Sequence, residues 1–521
     1  MTTPEPTIHR ETISRSLTMT SSTKDASAIP QHVEVLVVGA GLTGIGMAYH
    51  LQTLQPGRTF AILESRESIG GTWDLFRYPG VRSDVDLYAF GYGFKPWDRE
   101  NAIADASEIL EYLQETVDEN NLGAHIHFGH KVVSADFSTA RAQWSVRVER
   151  VRDGHQFTMT CNFLSSAAGY YDVDEGYSPQ FEGREDFSGD IVHPQHWPES
   201  FDYTGKKVVV IGSGATAVTL VPAMAEDAEH VTMLQRSPSY VLPAPRRDPL
   251  ALFIRRLIPR THAHRIIRTI NVGKQTFLYR VSRRFPNTMR AVIRRVNIKA
   301  LPEGFDVDAH FNPDYAPWDQ RMCVVADGDL FKAIASGKAG VVTDRIARFS
   351  KNGILLQSGS EIEADIIVTA TGLNMVPFGK IQLRVDGRDV NLHDHLIYKT
   401  AMVSDIPNFT FTLGSVNNAW TLKADLVAQW TCRLLAHMDR HGYTTVIPVV
   451  DDDTMTRRPY IEMGSGYVNR AMHLFPQQGS AEPWSVAQDY KIDRQVLGKD
   501  PIEESSLHFA SAPLVAPAVA G

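Results

Sequence analysis

The sequence predicts an α/β protein in which one strand–turn–helix design is used twice, with a helical insertion interrupting the second use. Three observations predict it. An apolar strand runs into a glycine-rich turn at 33–44, the same arrangement returns at 207–217, and a strongly basic run of helical periodicity fills 246–299. At 521 residues the chain is long enough for about three domains. Hydrophobic residues make up 43% and charged residues 21%, so a chain of this length can bury its core without disulfides or structural metal. The net charge of −8 argues against a general nucleic-acid binder, and no stretch approaches the roughly 18 consecutive apolar residues of a membrane span.

The first copy starts with strand residues 33–38, followed by Gly39-Ala40-Gly41-Leu42-Thr43-Gly44. Leu42, Ile45, Ala48 and Leu51 then recur every three residues, which places them on one helical face. Pro56-Gly57 stops that helix, and 59–63 reads as a second strand ending at Glu64. Gly39 permits the tight turn, Gly41 lets backbone approach a pyrophosphate, and Gly44 lets helix and strand pack closely. The helix N-terminus offers unpaired N–H groups to phosphates. Glu64, 20 residues after Gly44, stands where an acid binds both hydroxyls of an adenosine ribose. This is a Rossmann-like dinucleotide cradle.

The second copy runs from strand 207–211 into Gly212-Ser213-Gly214-Ala215-Thr216-Ala217. Pro222 is expected to kink the following helix or to sit where a hydrogen bond is already lost. The next strand, 230–234, ends in Gln235-Arg236-Ser237 with no acid. A carboxylate there would repel a ribose 2′-phosphate, whereas a guanidinium binds it through paired charge-assisted hydrogen bonds. Arg236 and Ser237 therefore predict NADPH, the alternative being an ordinary surface arginine. An acid in one cradle and a cation in the other predict FAD in the first and NADPH in the second.

The insertion carries fifteen Lys and Arg against the single acid Asp248, a net +14 that leaves −22 for the rest of the chain. Leu252, Ile254 and Leu257, then Ile266, Ile267 and Ile270, then Phe277, Leu278 and Val281, recur at helical spacing, which predicts two or three basic amphipathic helices broken near Pro259, Gly273 and Pro286. Such helices either offset the charge of an acidic body or dock on anionic lipid. Cys161, Cys323 and Cys432 form no CxxC, which fits a reducing compartment such as the cytoplasm. Two strands ending in glycine, 163–169 and 366–372, read as crossings between domains. The expected organisation is a disordered arm at 1–30, an FAD domain at 31–170 and 373–510, and an NADPH domain at 171–245 and 316–372. The insertion occupies 246–315, and a disordered tail containing Ala and Pro follows at 511–521.

Two longer segments identify a family. Phe187-Ser188-Gly189 through His193 to Trp197-Pro198 fits the pattern FxGxxxHxxxWP, and Gly70-Gly71-Thr72-Trp73 through Arg77-Tyr78-Pro79-Gly80 to Asp84 fits a second signature. Both resemble the Baeyer–Villiger monooxygenases, the class B flavoprotein monooxygenases. Residues 317–325, 370–372 and 419–425 resemble the same family, closest to its branch containing the ethionamide-activating enzyme of mycobacteria. The resemblance spans about residues 31–510. It implies that NADPH reduces FAD, that O2 adds to give a C4a-peroxyflavin, and that this attacks a ketone carbonyl to yield an ester or lactone, with sulfides or thioamides as further substrates.

The same resemblance assigns roles. Arg321 matches the catalytic arginine that holds the oxygen anion, and Asp84 the carboxylate that pairs with it; without the resemblance, a surface ion pair of Arg321 with Asp319 or Asp327 would be preferred. Gly71, Trp73 and Tyr78 join the cofactor-binding set. His193 on the linker between domains is expected to bond backbone and assist domain rearrangement, not to act as a base. Trp420, Ser415 and Asn417 are expected to shape the substrate cavity, although large aromatics also serve as plain core. Gln320 stands where many ketone-oxidising relatives carry a lysine, which leaves more of the 2′-phosphate to Arg236 and Ser237 and predicts modest cofactor affinity. Ser415-Val416-Asn417 departs from the branch and alters one cavity wall. His125, His127 and His130 put two imidazoles on one strand face, but no acid or cysteine completes the set, so no metal is expected. A flavin N- or S-monooxygenase is the near alternative, and a membrane-docking protein the alternative of another class. The lack of a redox CxxC and of a G-x-S-x-G elbow counts against a disulfide reductase and an esterase.

Overall fold

The computed structural model describes residues 29–320, 322–414, 418–452 and 454–511. The two glycine turns organise two separate sheets. In the first, His32–Val38 lies between Phe60–Leu63 and His155–Ser166, parallel to both. His32–Val38 carries four valines, Phe60–Leu63 is wholly buried and so are the last four residues of His155–Ser166, as expected where parallel strands are covered on both faces. Beyond His155–Ser166 the sheet turns antiparallel through Gln143–Arg150 and His130–Ser138. Strands from the C-terminal third complete it: Gln382–Val385 pairs with His130–Ser138, and Phe409–Phe411 with His155–Ser166. One sheet is thus built from both ends of the chain.

The second sheet is all parallel, in the order Ala339–Thr343, His230–Gln235, Lys207–Ile211, Ile366–Val368, Asp190–Val192. The chain passes between the sheets twice, at Tyr171–Gly176 and Leu373–Met375, and these two crossings pair with each other as an antiparallel ribbon.

The insertion forms helices Pro249–Leu257, Arg260–Arg284 and Pro286–Ala300. The breaks fall at Pro259 and Pro286, as the sequence predicts, but the expected break at Gly273 is absent. An isolated glycine costs a helix only about 1 kcal/mol, and burial of Ala263, His264, Ile267, Asn271 and Ser282 along the inner face holds that helix continuous. Proline also removes a donor and clashes with the preceding turn, so it stops a helix where glycine does not. The strand Leu507–Ala510 pairs with Thr445–Pro448 and reaches the edge of the expected tail. Among the described residues no helix is long and apolar enough to cross a membrane. Residues 1–28 and 512–521, on which the expected arm and tail fall, lie outside the described residues.

Candidate active site

The first cradle follows from strand register. Val38 stands opposite both Leu63 and Ser166, so three strands end level and the turn rises from their common edge. Gly39 adopts φ 101°, and a side chain there would press on the Ala167 carbonyl oxygen at 2.8 Å. A Cβ on Gly44 would come within 1.8 Å of the Gly39 oxygen, so the helix Leu42–Leu54 can seat on the turn only without one. Gly70 donates to the Ala40 carbonyl at 3.0 Å, and a Cβ on Gly71 would stand 3.2 Å from Gly41 Cα. Bare backbone therefore lines both sides of this turn, which fits a pyrophosphate.

Glu64 is buried, and its carboxylate accepts the N–H groups of Ala40 at 2.7 Å and Arg66 at 2.9 Å. A carboxylate takes about four hydrogen bonds, so lone pairs remain for a ribose. Trp420 starts the helix Trp420–His441, and its indole N–H donates to Thr43 Oγ1 inside the turn at 2.8 Å. That contact seats Trp420 on the first cradle, beside Tyr170. Trp73 is half-buried and meets Phe90 edge-on. Burial raises the pKa of Asp74, yet hydrogen bonds from Ser68 and Arg66 and the charges of Arg66 and Arg77 outweigh it and hold the pKa below the ordinary value.

In the second cradle Gly212 adopts φ 135°, with its Cβ position 2.3 Å from the Ala370 oxygen. Gly214 caps the helix Ala215–Met224, and no atom lies within 4 Å of its Cβ position, so the approach to that helix end is open. Ala217 is fully buried against the sheet, and Pro222 lies buried within the helix. Arg236 and Ser237 are exposed immediately beyond the strand His230–Gln235, at the edge of this opening. Sequence reasoning missed Ser213 and Ser239, whose hydroxyls bond each other at 2.7 Å across the turn.

The second signature segment joins the cradles. Tyr78 is buried among Val218, Val221 and their neighbours; burial raises its phenol pKa, and the Thr219 and Thr216 hydroxyls work against that rise. A Cβ on Gly80 would meet the Thr219 carbonyl oxygen at 2.6 Å. The loop that leaves the first cradle is thus seated on the helix that starts at the second. Arg82, which sequence reasoning did not single out, is buried two residues on and paired with Asp329, 3.1 Å between Nη2 and Oδ1. Asp84 is half-buried and near enough to Tyr78 for its charge to oppose ionisation of the phenol. Arg321, Ser415 and Asn417 lie outside the described residues. Just before Arg321, the left-handed Trp318 (φ 73°) and the half-buried Gln320 shape the loop, and Asp319 pairs with Arg283 of the insertion.

The long fingerprint lies on and beside the crossing ribbon. Phe187 is buried against Phe349, and a Cβ on Gly189 would strike the Asp365 oxygen at 2.0 Å. The His193 ring lies on Gly176 of the ribbon, where a Cβ would come within 2.1 Å of Cε1. Its Nδ1 accepts the Gln195 N–H at 3.2 Å. Burial holds its pKa below the ordinary imidazole value, against the opposing effect of hydrogen bonding to the Gly372 backbone. Trp197 packs edge-on against Phe201, and Pro198 is exposed. Arg470, also missed from sequence, stacks over Tyr177 at 3.4 Å beside this ribbon.

The three histidines singled out in sequence lie on three different elements, so no two of them share the face of one strand. His125 closes a 3-10 turn and stacks on Phe60, His127 lies in a two-residue strand, and His130 starts the next strand with Nδ1 on the Phe128 carbonyl. A two-residue strand is too short to carry the alternation that the sequence reading assumed. His437, His441 and Glu503 are the only group of potential metal ligands among the described residues, at the far end of the helix Trp420–His441.

The flavin-binding monooxygenase-like family matches residues 92–441, and an NAD(P)-binding Rossmann-like domain matches 37–101. The FAD-containing monooxygenase EthA of Mycobacterium tuberculosis strain H37Rv is 49% identical over 484 residues, 93% of this chain and 99% of that protein. The chain belongs to this family. The probable FAD-binding monooxygenase AlmA of Acinetobacter baylyi is 45% identical over 481 residues, covering 92% and 96% of the two chains. Among solved structures, the oxidised steroid monooxygenase bound to NADP has a TM-score of 0.68 at 23% identity, covering 92% and 99%. The ε-caprolactone-bound cyclohexanone monooxygenase in its Loose conformation has 0.71 at 20%, covering 92% and 100%; both are likenesses of fold. Family and fold bear out the expected α/β architecture with two dinucleotide-binding halves. They likewise bear out a flavoprotein monooxygenase of the Baeyer–Villiger type with FAD and NADPH as cofactors.

Proposed function

We propose that the chain inserts one oxygen atom of O2 next to a ketone carbonyl, giving an ester or lactone, and that it also oxidises sulfur in sulfides or thioamides. Each turnover consumes one NADPH, one proton and one O2 and releases NADP+, water and the oxygenated product. The observation that carries this reading is the seating of Tyr78 and Gly80 on the helix Ala215–Met224, which joins the loop leaving the first glycine turn to the helix that starts at the second. FAD bound there would accept reducing equivalents from NADPH and activate O2. Gly39, Gly41, Gly44 and Gly71 would give its phosphates bare backbone, and Glu64 would hold its ribose. Gly212, Gly214 and Ala217 would do the same for NADPH, with Arg236 and Ser237 on the 2′-phosphate. Arg321 supplies a fixed cation that does not readily give up a proton, and Asp84 positions its guanidinium. Trp73, Tyr78 and Trp420 keep water from the reacting atoms. The enzyme is cytoplasmic, and its insertion at 246–299 touches the membrane surface.

Rapid mixing tests the central role. Arg321→Ala should still be reduced by NADPH at the wild-type rate while ester formation falls by about 10²–10³, the usual cost of removing one charge-stabilising donor, and hydrogen peroxide appears instead. Ester formation by Arg321→Ala at the wild-type rate would sink the assignment of Arg321. Wild-type enzyme that releases only peroxide with every ketone and sulfide offered would sink the oxygenation reading itself.

A further inference from the structure

The insertion turns its apolar residues the wrong way for a solvated helical face. Of the fifteen large hydrophobic side chains exposed among the described residues, ten lie within 246–299, which makes this segment the molecule's main exposed apolar surface. On Pro249–Leu257, Leu250, Phe253 and Leu257 follow one another at three- and four-residue intervals along one line, the last two 59% and 67% exposed. On Arg260–Arg284, Ile266, Ile270, Gly273 and Phe277 form a second line, with Phe277 67% exposed. Phe285, exposed between the second and third helices, carries the Arg284 guanidinium 5.2 Å above its ring.

The opposite faces of these helices are already committed. Ala251, Ala263 and Ile267 are buried in the core of the first sheet, and Arg255, Arg268 and Arg280 reach Asp98, Asp425 and Asp489 of the body. The outward lines are therefore not a core awaiting its own chain. Around them Arg256, Arg265 and Arg284 on these two helices, and Arg295 and Lys299 on the third, are exposed, and the ion pairs found among the described residues give none of them a carboxylate. If the segment served only to offset an acidic body, its cations would be spent inward and its outer face would be polar.

We infer that helices 249–257 and 260–284 form a docking surface for an anionic lipid bilayer, the apolar lines entering the headgroup boundary and Arg256, Arg265 and Arg284 meeting lipid phosphates. The inference rests on the membrane contact proposed above and gives that contact its residues and lipid chemistry. A basic helix with an exposed apolar line gains from both terms at an anionic membrane. A two-fold contact between copies gains only the apolar one, because it sets the same cationic surface against itself. Docked in this way, the enzyme draws its substrates from the bilayer as well as from solution.

Co-sedimentation of the FAD-loaded full chain with vesicles tests this. Vesicles of phosphatidylcholine with one-third phosphatidylglycerol (roughly 30% anionic lipid, in the range of bacterial membranes) should pellet the protein at low salt, and pure phosphatidylcholine should not. A variant carrying Phe253→Ser, Leu257→Ser and Phe277→Ser, and another carrying Arg256→Glu, Arg265→Glu and Arg284→Glu, should each bind about tenfold less. NADPH oxidation and oxygenation of a water-soluble ketone by both variants should stay at the wild-type level, which separates a failure of docking from a failure of the oxygenation reading. Equal partition of wild type and both variants onto the two vesicle types overturns the inference. So does a wild-type dimer in sedimentation velocity that the serine variant dissociates while neither binds lipid, since that outcome makes the surface a contact between copies.

Discussion

Arg236 and Glu64 occupy matching positions and do opposite electrostatic work. Each follows the second strand of its unit, where a side chain meets an adenosine ribose. Glu64 is buried and anchored by two backbone N–H groups, so its position is set before any ligand arrives. Arg236 is exposed and has only a strand end to hold it. The guanidinium's value therefore lies in the ligand's charge, and Arg236→Ala should raise KM for NADPH by about 10- to 100-fold, the loss of a charge-assisted pair. KM for NADH and kcat at saturating NADPH should change little. Steady-state kinetics with both nucleotides check this, and an equal loss with NADH would show that Arg236 holds the fold and does not select the cofactor.

At the scale of elements, the ribbon of Tyr171–Gly176 and Leu373–Met375 pairs the two crossings, and the His193 ring lies against it at Gly176. The contact is made at a glycine because a ring at this distance leaves no room for a methyl group. Gly176→Ala should therefore push the His193 ring off the ribbon. Where two domains must move against each other between cofactor reduction and oxygenation, the expected result is a three- to tenfold lower kcat with the KM for NADPH nearly unchanged. A rise in KM with kcat intact would instead place His193 in cofactor binding. Helices obey a coarser logic: Gly273 sits within one and proline ends two, because only proline forfeits the hydrogen bond as well as the packing.

For the whole molecule, the insertion is held on the first sheet's domain by burial of Ala251, Ala263 and Ile267 and by ion pairs of Arg255 and Arg268, and one acid beneath it titrates unusually. Asp86 caps the short helix Leu87–Phe90, and burial, followed by the nearby Asp248 of the insertion, raises its pKa to about 6 against the tempering effects of the Tyr88 N–H and of Lys274. The folded value lies above the 3.8 of an unperturbed aspartate, so the folded chain binds the proton more tightly. That stabilisation is complete below pH 3.8 and is lost as pH rises through about 6. Asp86→Asn keeps a capping acceptor and removes the titration. Across this window the Tm of the wild type should fall relative to that of the variant, by a few degrees; parallel Tm curves from calorimetry would show that Asp86 ionises without cost.

Both glycine turns, their strands and helices, Glu64, Arg236 and the proline breaks were legible in sequence because each rests on a local rule. A strand of buried valines, a turn that admits no side chain and an acid 20 residues on are set by neighbours along the chain. The roles of Arg321 and Asp84 came from family resemblance and not from spacing. The register that levels three strand ends, the indole of Trp420 on Thr43, the burial of Arg82 against Asp329 and the stacking of Arg470 on Tyr177 join residues 25 to 377 positions apart. Periodicity correctly marked the insertion's apolar positions but not which way they face. A helix's apolar line turns inward or outward according to what packs on its other side, and here the core of the first domain took Ala251, Ala263 and Ile267 and left Phe253, Leu257 and Phe277 outside.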